Sequence, residues 1–270
     1  MNKIIGFICS GNMGKAMIGG IIKSKLVEPM KVIISDLDQK KLDAIHNEFG
    51  VLTTTDSKEV ARKADIIVLA VKPNIYDIVM RSIKEDITKE KLIVTIAAGK
   101  TIADIEGILG EDTKIVRTMP NTPALVNEGM SVLCANKNTT EEELKEVKSI
   151  FDSFGESEIL PEYLIDAVIG VSGSAPAYVF MFIEAMADGA VIGGMPRDKA
   201  YKFAAQAVLG SAKMVLETGK HPGELKDMVC SPGGTTIEAV RTLESKGLRT
   251  AVIEAIVDCM NKSKEMAKKS

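Results

Sequence analysis

Ile4-Ile5-Gly6-Phe7-Ile8-Cys9-Ser10-Gly11-Asn12-Met13-Gly14 is a short apolar run that breaks into a glycine turn and continues as the amphipathic segment Met13–Ser24. Strand, turn and helix in that order make the first half of a βαβ unit. The turn carries Gly11 and Gly14 of the dinucleotide fingerprint G-x-G-x-x-G, with Cys9 in place of its first glycine. Such glycines allow a tight turn and close approach of the backbone to a pyrophosphate. The start of the helix then offers its N–H groups and positive dipole end to that anion. A second β-rich run, Lys31–Ser35, is followed by Asp36, about 20 residues beyond the turn, where such folds read the ribose of the adenosine. The context points to a site for NAD or NADP. A carboxylate at 36 accepts from a free 2′-hydroxyl and repels a 2′-phosphate, while Ser35, Lys40 and Lys41 soften that repulsion, so NADH and NADPH both remain open.

The alternation continues outward from this unit. Asp65–Val71, Lys91–Ile96, Lys114–Met119 and Met130–Ala135 are β-rich, and amphipathic stretches such as Gln39–Phe49, Ile75–Ile83 and Glu141–Phe154 lie among them. Strands apolar on both sides, separated by helix-length segments, predict a mostly parallel, doubly wound sheet covered on both faces. After Pro161 the strand signals stop. Helical patterns follow at Glu162–Ile169, Ala175–Ile192, Arg197–Glu217, near Pro222–Met228, Thr235–Ser245 and Leu248–Met266. The expected fold is therefore an α/β Rossmann domain over residues 1–161 and an all-α domain over 162–270. Ser174 is expected to cap the helix 175–192, with Pro176 in its first turn. That helix is apolar almost all round, which predicts burial, between subunits, and a homodimer at least. The final segment, Lys262–Ser270, reads as a solvated, fraying helix end.

Composition narrows the function. A formal net charge of −3 gives no global attraction to nucleic acid or anionic lipid. Aromatic residues make up 4% and Trp is absent, which leaves no base-stacking platform. The four cysteines contain no C-x-x-C pair and the two histidines lie far apart, so no metal site is expected. The cysteines are expected to be small buried hydrophobes in a reducing compartment. The opening apolar run passes straight into the glycine turn, unlike a signal peptide. Glu184 and Asp188 interrupt the apolar region Val171–Gly194, which argues against a bilayer span. A cytoplasmic protein with no membrane or nucleic-acid partner is the expectation.

Three further loops lie at the carboxyl ends of predicted strands: Ala70-Val71-Lys72-Pro73, Ala97-Ala98-Gly99 and Met119-Pro120-Asn121-Thr122-Pro123. Each alone is ordinary loop chemistry; with the glycine turn they outline one crevice of the kind open α/β sheets use for ligands. In the helical half, Ser231-Pro232-Gly233-Gly234-Thr235-Thr236-Ile237-Glu238 has the spacing of a capping box, Thr235 with Glu238. It also suits an anion site. The N–H groups of Gly234, Thr235 and Thr236 and the hydroxyls of Ser231 and Thr236 would hold a carboxylate at a helix start.

In order and spacing, the glycine turn with Asn12-Met13, Ala70–Pro73, Arg117–Pro123, Ser172–Tyr178 and Ser231–Thr236 resemble the pyrroline-5-carboxylate reductases over essentially the whole chain. The resemblance implies NAD(P)H-dependent reduction of 1-pyrroline-5-carboxylate to L-proline. It also implies a Rossmann domain, and a helical domain that interlocks two chains, with decamers common. By that likeness Ile8, Cys9, Ser10, Gly11, Asn12 and Met13 line the pyrophosphate, Ser35 and Asp36 the ribose, and Val71, Lys72, Pro73 and Ala98 the nicotinamide side. Gly234, Thr235 and Thr236 receive the substrate carboxylate, with the Thr236 hydroxyl near the ring nitrogen as the one catalytic candidate. The chain departs from the family at Cys9, at Ala175 in place of the second glycine of S-G-S-G-P-A-Y, and at Ser57, where Asn is frequent near the adenine. An imine, protonated above all, is already electrophilic, so no metal or strong base is required. The alternatives are a 3-hydroxyacid dehydrogenase of the 6-phosphogluconate type and a non-catalytic NAD(P)-sensing protein. The first uses a lysine at the start of the long interdomain helix, where this chain has Ala175-Pro176-Ala177-Tyr178.

Overall fold

The computed structural model describes residues 1–9 and 11–268; the side chains of Pro73 and Lys268 lie outside that description. Up to Ile159 the chain runs β1 (Ile5–Ile8), α1 (Asn12–Lys23), β2 (Val32–Ser35), α2 (Gln39–Phe49), β3 (Leu52–Thr54), α3 (Ser57–Lys63), β4 (Ile66–Leu69), α4 (Pro73–Ile83), β5 (Leu92–Thr95), α5 (Ile102–Leu109), β6 (Lys114–Met119), β7 (Gly129–Ala135), α6 (Glu141–Asp152) and β8 (Gly155–Ile159). There follow α7 (Ile165–Val168), a π-helical turn (Ile169–Gly173), α8 (Ala175–Ile192), α9 (Arg197–Thr218), α10 (Pro222–Val229), α11 (Thr235–Ser245) and α12 (Leu248–Lys268). The sheet order is β3-β2-β1-β4-β5-β6-β7-β8. All neighbours pair in parallel except β6 and β7. The first six strands follow the doubly wound Rossmann order, whose direction reverses between β1 and β4 and opens a crevice beyond their carboxyl ends.

Residue alternation along each strand feeds two cores. Ile5, Phe7, Val32, Ile34, Ile66 and Val68 pack with Met17, Ile21 and Ile45 on one face, together with Ile150 and Phe151 of α6. Ile8, Ile33, Ile67 and Leu69 pack on the other face with Val60, Tyr76, Met80 and Ile105. Both faces are therefore apolar, as parallel strands require. Gly6 is needed because a Cβ there would lie 2.5 Å from Val60 Cγ1 and 2.6 Å from Ala64 Cβ.

Sequence patterning overlooked β3, β8, α3 and α5. Strand β8 reads Gly-Glu-Ser-Glu-Ile and buries only Ser157. As the outermost strand it has a neighbour on one side alone, and its glutamates keep other chains from pairing there.

By compactness the chain divides into residues 1–174 with 259–270, and residues 175–258. Strands end at Ile159, so secondary structure changes near 161, yet residues 162–174 and the end of α12 pack with the sheet unit. Ser263 Oγ donates to Asp166 Oδ1 (2.6 Å) and the Cys259 thiol to Ser174 Oγ (3.2 Å). The segment from Lys262 is thus helical to Lys268 and mostly exposed, as a solvated helix end, with Ser263 tied to Asp166. Ser174 is itself helical (φ −99, ψ −23) and closes the π-turn, so it is not the extended N-cap expected.

In the unit 175–258, α8 and α9 are the principal packed pair. Only Ala187 of α8 is buried within the chain, while Phe180 is 64% and Met181 69% exposed. The burial expected of this helix is therefore not supplied by its own chain.

Of the cysteines, Cys134 alone is buried; Cys9, Cys230 and Cys259 are half-buried, which corrects the expectation for those three. Burial, with Glu162 nearby, pushes the Cys134 thiol up to about 11. An unfolded thiol ionises near about 8.5. Above that pH the unfolded chain releases this proton first, so stability present below about 8.5 is lost as pH rises towards about 11. Burial also raises Tyr76 and acts in the same direction. We expect the urea midpoint to fall across this window, and to fall less steeply in Cys134→Ala; equal slopes would remove Cys134 as a cause.

Candidate active site

Cys9 directly follows β1 with φ 83, in the left-handed region that favours glycine, at the position of the fingerprint's first glycine. Its N–H donates to Ser35 O (2.8 Å), which ties the turn to the end of β2. Gly11 is the extended N-cap of α1 (φ −63, ψ 174), and no side chain caps the helix. The first turn of α1 holds no acidic residue. A Cβ on Gly11 would meet nothing within 4 Å, whereas one on Gly14 would lie 3.1 Å from Cys9 O. An uncapped helix start beneath open space fits a pyrophosphate. Ile8 is buried, Met13 half-buried and Asn12 exposed at the helix start; Ser10 lies outside the described residues.

The ends of β2 and β3 come together beside this turn. Ser35 Oγ and Ser57 Oγ are 3.1 Å apart, and Asp36 N–H donates to Thr54 O (3.3 Å). Asp36 Oδ1 accepts from Asp38 N–H (3.0 Å) and Oδ2 faces the Cys9 thiol at 3.7 Å. Cys9, Ser35, Asp36 and Ser57, drawn from three segments of sequence, therefore form one cluster at the lip of the crevice.

On the other side of β1, Ala70 N–H donates to Ile8 O (3.0 Å). Val71 is buried and Lys72 exposed. Lys72 is extended (φ −66, ψ 147), and Pro73 takes the first position of α4. The strand has ended at Leu69, and Pro73 starts the helix. Ala98 is half-buried, in a loop whose Gly99 has φ 81. A polar network the sequence analysis missed underlies that loop. Tyr76 donates its hydroxyl to Thr95 Oγ1, which also accepts from Ala97 N–H (3.2 Å). Thr118 Oγ1 donates to Thr95 O (2.9 Å). Burial holds the Tyr76 phenol protonated well above its usual range, so it remains a donor. The signal in the sequence was a threonine at or next to the carboxyl end of each strand, Thr95 closing β5 and Thr118 one residue before the end of β6.

Asn121 was quoted only as part of a loop, yet it is buried and spans two segments. Its Nδ2 donates to Ser172 O (3.0 Å) in the π-turn, and its Oδ1 accepts from Met130 N–H (2.8 Å). Arg117 pairs with Glu162 at 2.7 Å, and Glu162 Oε1 also accepts from Ile102 N–H (2.9 Å) at the start of α5. These contacts brace the loops after β5 and β6.

In the helical unit, Gly233 has φ 66 and Gly234 is the extended N-cap of α11 (φ −81, ψ 173). The expected capping box does not form: Thr235 is already the first helical residue, and Glu238 pairs with Arg241 (3.0 Å). Gly234 N–H is taken by Ser231 O (3.0 Å), which removes it from the expected anion donors. The N–H groups of Thr235 and Thr236 stand at a helix start with no side-chain cap. The hydroxyls of Ser231, Thr235 and Thr236 have no hydrogen-bond partner among the described residues. No group of three metal-ligating side chains occurs among the described residues.

Two family models match: NADP oxidoreductase coenzyme F420-dependent over residues 4–99, and pyrroline-5-carboxylate reductase dimerisation over 162–266. The pyrroline-5-carboxylate reductase of Escherichia coli K12 is 58% identical over 99% of this chain and 100% of its own. A solved pyrroline-5-carboxylate reductase from Coxiella burnetii is 36% identical, covers 99% of both chains and superposes with a TM-score of 0.94. The Plasmodium falciparum enzyme, solved with NADP bound, is 34% identical over 98% of both chains, with a TM-score of 0.89. With a likeness this close running the whole length of the sequence, through the glycine turn and the loop before α11 alike, the chain belongs to the pyrroline-5-carboxylate reductase family.

Proposed function

We infer that this protein reduces 1-pyrroline-5-carboxylate to L-proline, with NADPH or NADH as the reductant. The observation that carries this is the 58% identity, over nearly the full length of both chains, to a pyrroline-5-carboxylate reductase. The reaction adds hydride to C5 of the cyclic imine and a proton to its nitrogen. A bound nicotinamide supplies the hydride. The chain's own residues then have only to bind, orient and deliver a proton.

The uncapped start of α1 with Gly11, Asn12 and Met13 holds the pyrophosphate, and Gly14 lets the turn close on it. Ser35, Asp36 and Ser57 hold the adenosine end, supported by their clustering at the ends of β2 and β3. Val71, Lys72, Pro73 and Ala98 wall the nicotinamide side, with the Tyr76–Thr95 network fixing the loop that carries Ala98. Ser231, Thr235 and Thr236 receive the substrate carboxylate at the positive start of α11. The Thr236 hydroxyl supports the developing ring amine, with a water as relay if the imine binds neutral.

The exposed apolar side chains of α8 and α9 are covered by a second copy of the chain, in line with the dimerisation model over 162–266. The helical run Glu162–Ile192 is long and apolar enough to cross a bilayer by length and composition, with 17% of its apolar window buried in the chain. Burial between subunits accounts for the same surface in the cytoplasm.

The test is cofactor oxidation, followed by nicotinamide absorbance, with DL-pyrroline-5-carboxylate and either NADPH or NADH. Imine-dependent oxidation is expected; none from folded protein that binds cofactor would overturn the assignment. Thr236→Ala is expected to lower turnover about 10-fold or more, and unchanged kinetics would remove Thr236 from the mechanism.

A further inference from the structure

We propose that Asp36, fixed at the lip of the nucleotide crevice, makes this chain prefer NADH to NADPH. The proposal rests on the preceding assignment of the adenosine end to the β2–β3 cluster and goes beyond it by naming the coenzyme.

Asp36 is the first residue beyond β2, whose last residue, Ser35, stands in register with Ile8 at the end of β1. Its carboxylate is therefore placed next to the turn that receives the pyrophosphate. It is also held in place. Oδ1 accepts from Asp38 N–H at 3.0 Å, Oδ2 faces the Cys9 thiol at 3.7 Å, and the backbone N–H is bound to Thr54 O. An anchored carboxylate accepts hydrogen bonds from the hydroxyls of a free ribose. Against a 2′-phosphate it sets like charge on like charge.

The neighbouring charges decide the balance. Asp38 and Asp56 cap α2 and α3 on either side of the cluster and add negative potential. Arg62 is engaged by Asp56 (3.1 Å) and Asp86 (3.6 Å). Lys40, Lys41 and Lys58 are exposed in the first turns of α2 and α3, on long flexible stems whose field is screened by salt. Leu37, 92% exposed, follows Asp36 directly and offers no donor to a phosphate. The fixed anion outweighs the mobile cations.

Fluorescence titration of the full-length protein with NADH and NADPH measures this without catalysis. NADH is expected to bind about 10-fold tighter or more, a modest effect for a charge-based discrimination. Asp36→Ser is expected to close most of that gap, chiefly by tightening NADPH, and Asp36→Glu to keep it. NADPH bound as tightly as NADH by the wild-type protein would overturn the proposal, as would an unchanged ratio in Asp36→Ser. The wild-type ratio decides by itself if a variant fails to fold. Equal binding together with imine-dependent oxidation would leave the proposed reaction standing and the preference refuted. Failure to bind either coenzyme would refute both.

Discussion

Gly155→Ala is expected to cost the sheet-bearing unit about 3 kcal/mol or more, the upper end of what overpacking costs. Gly155 opens β8 opposite Gly129 of β7, in parallel register. A Cβ there would overlap the carbonyl oxygen of Gly129 and lie 2.5 Å from its nitrogen and 2.6 Å from its carbonyl carbon. Those atoms are backbone, and Gly129 N–H is already bound to Phe154 O (3.1 Å), so no rotamer change relieves the overlap. The strand must move away and take its pairing with it. The urea midpoint of the variant would show this. A loss below about 1 kcal/mol, the ordinary cost of a point mutation, would mean that β8 shifts freely. Gly129→Ala meets its neighbours at 3.0–3.1 Å and should cost less.

Glu162→Ala is expected to cost about 2–3 kcal/mol. Removing one partner of a buried ion pair costs about 3–5 kcal/mol because the other charge is left behind. The Arg117 side chain is 7% exposed, but that of Glu162 is 32% exposed, so water moderates the loss. Ile102 N–H at the start of α5 loses its acceptor in the same change. The double variant Arg117→Leu with Glu162→Leu should recover most of the stability, since no charge is then stranded. If the double variant is as unstable as the single one, packing and not the stranded guanidinium sets the cost.

Much of the fold was legible because strands apolar on both faces leave continuous runs, and the helices among them show one apolar stripe. Lys114–Met119, Gln39–Phe49, Ala175–Ile192 and Thr235–Ser245 have the bounds read from pattern. Strand β8 escaped because an edge strand needs few apolar side chains. Both expected caps were misplaced. Which residue leaves the helix is set by backbone dihedrals, and Gly234 took the extended conformation that the Thr235–Glu238 spacing assigned to Thr235. Of the site, the glycine turn and Asp36 could be read locally, because the βα unit that makes them is contiguous. The braces could not: Asn121 reaches Ser172 across 51 residues, and Arg117 reaches Glu162 across 45. Periodicity carries no record of such partners.

The sheet-bearing unit is not contiguous in sequence: it takes residues 1–174 and then the last turns of α12, with residues 175–258 intervening. During vectorial synthesis the sheet can pair early, since its last strand ends at Ile159. The partners of Asp166 and Ser174, namely Ser263 and Cys259, are made only after all of residues 175–258. The nascent chain therefore carries an unlatched 162–174 segment while the whole helical insertion is being made.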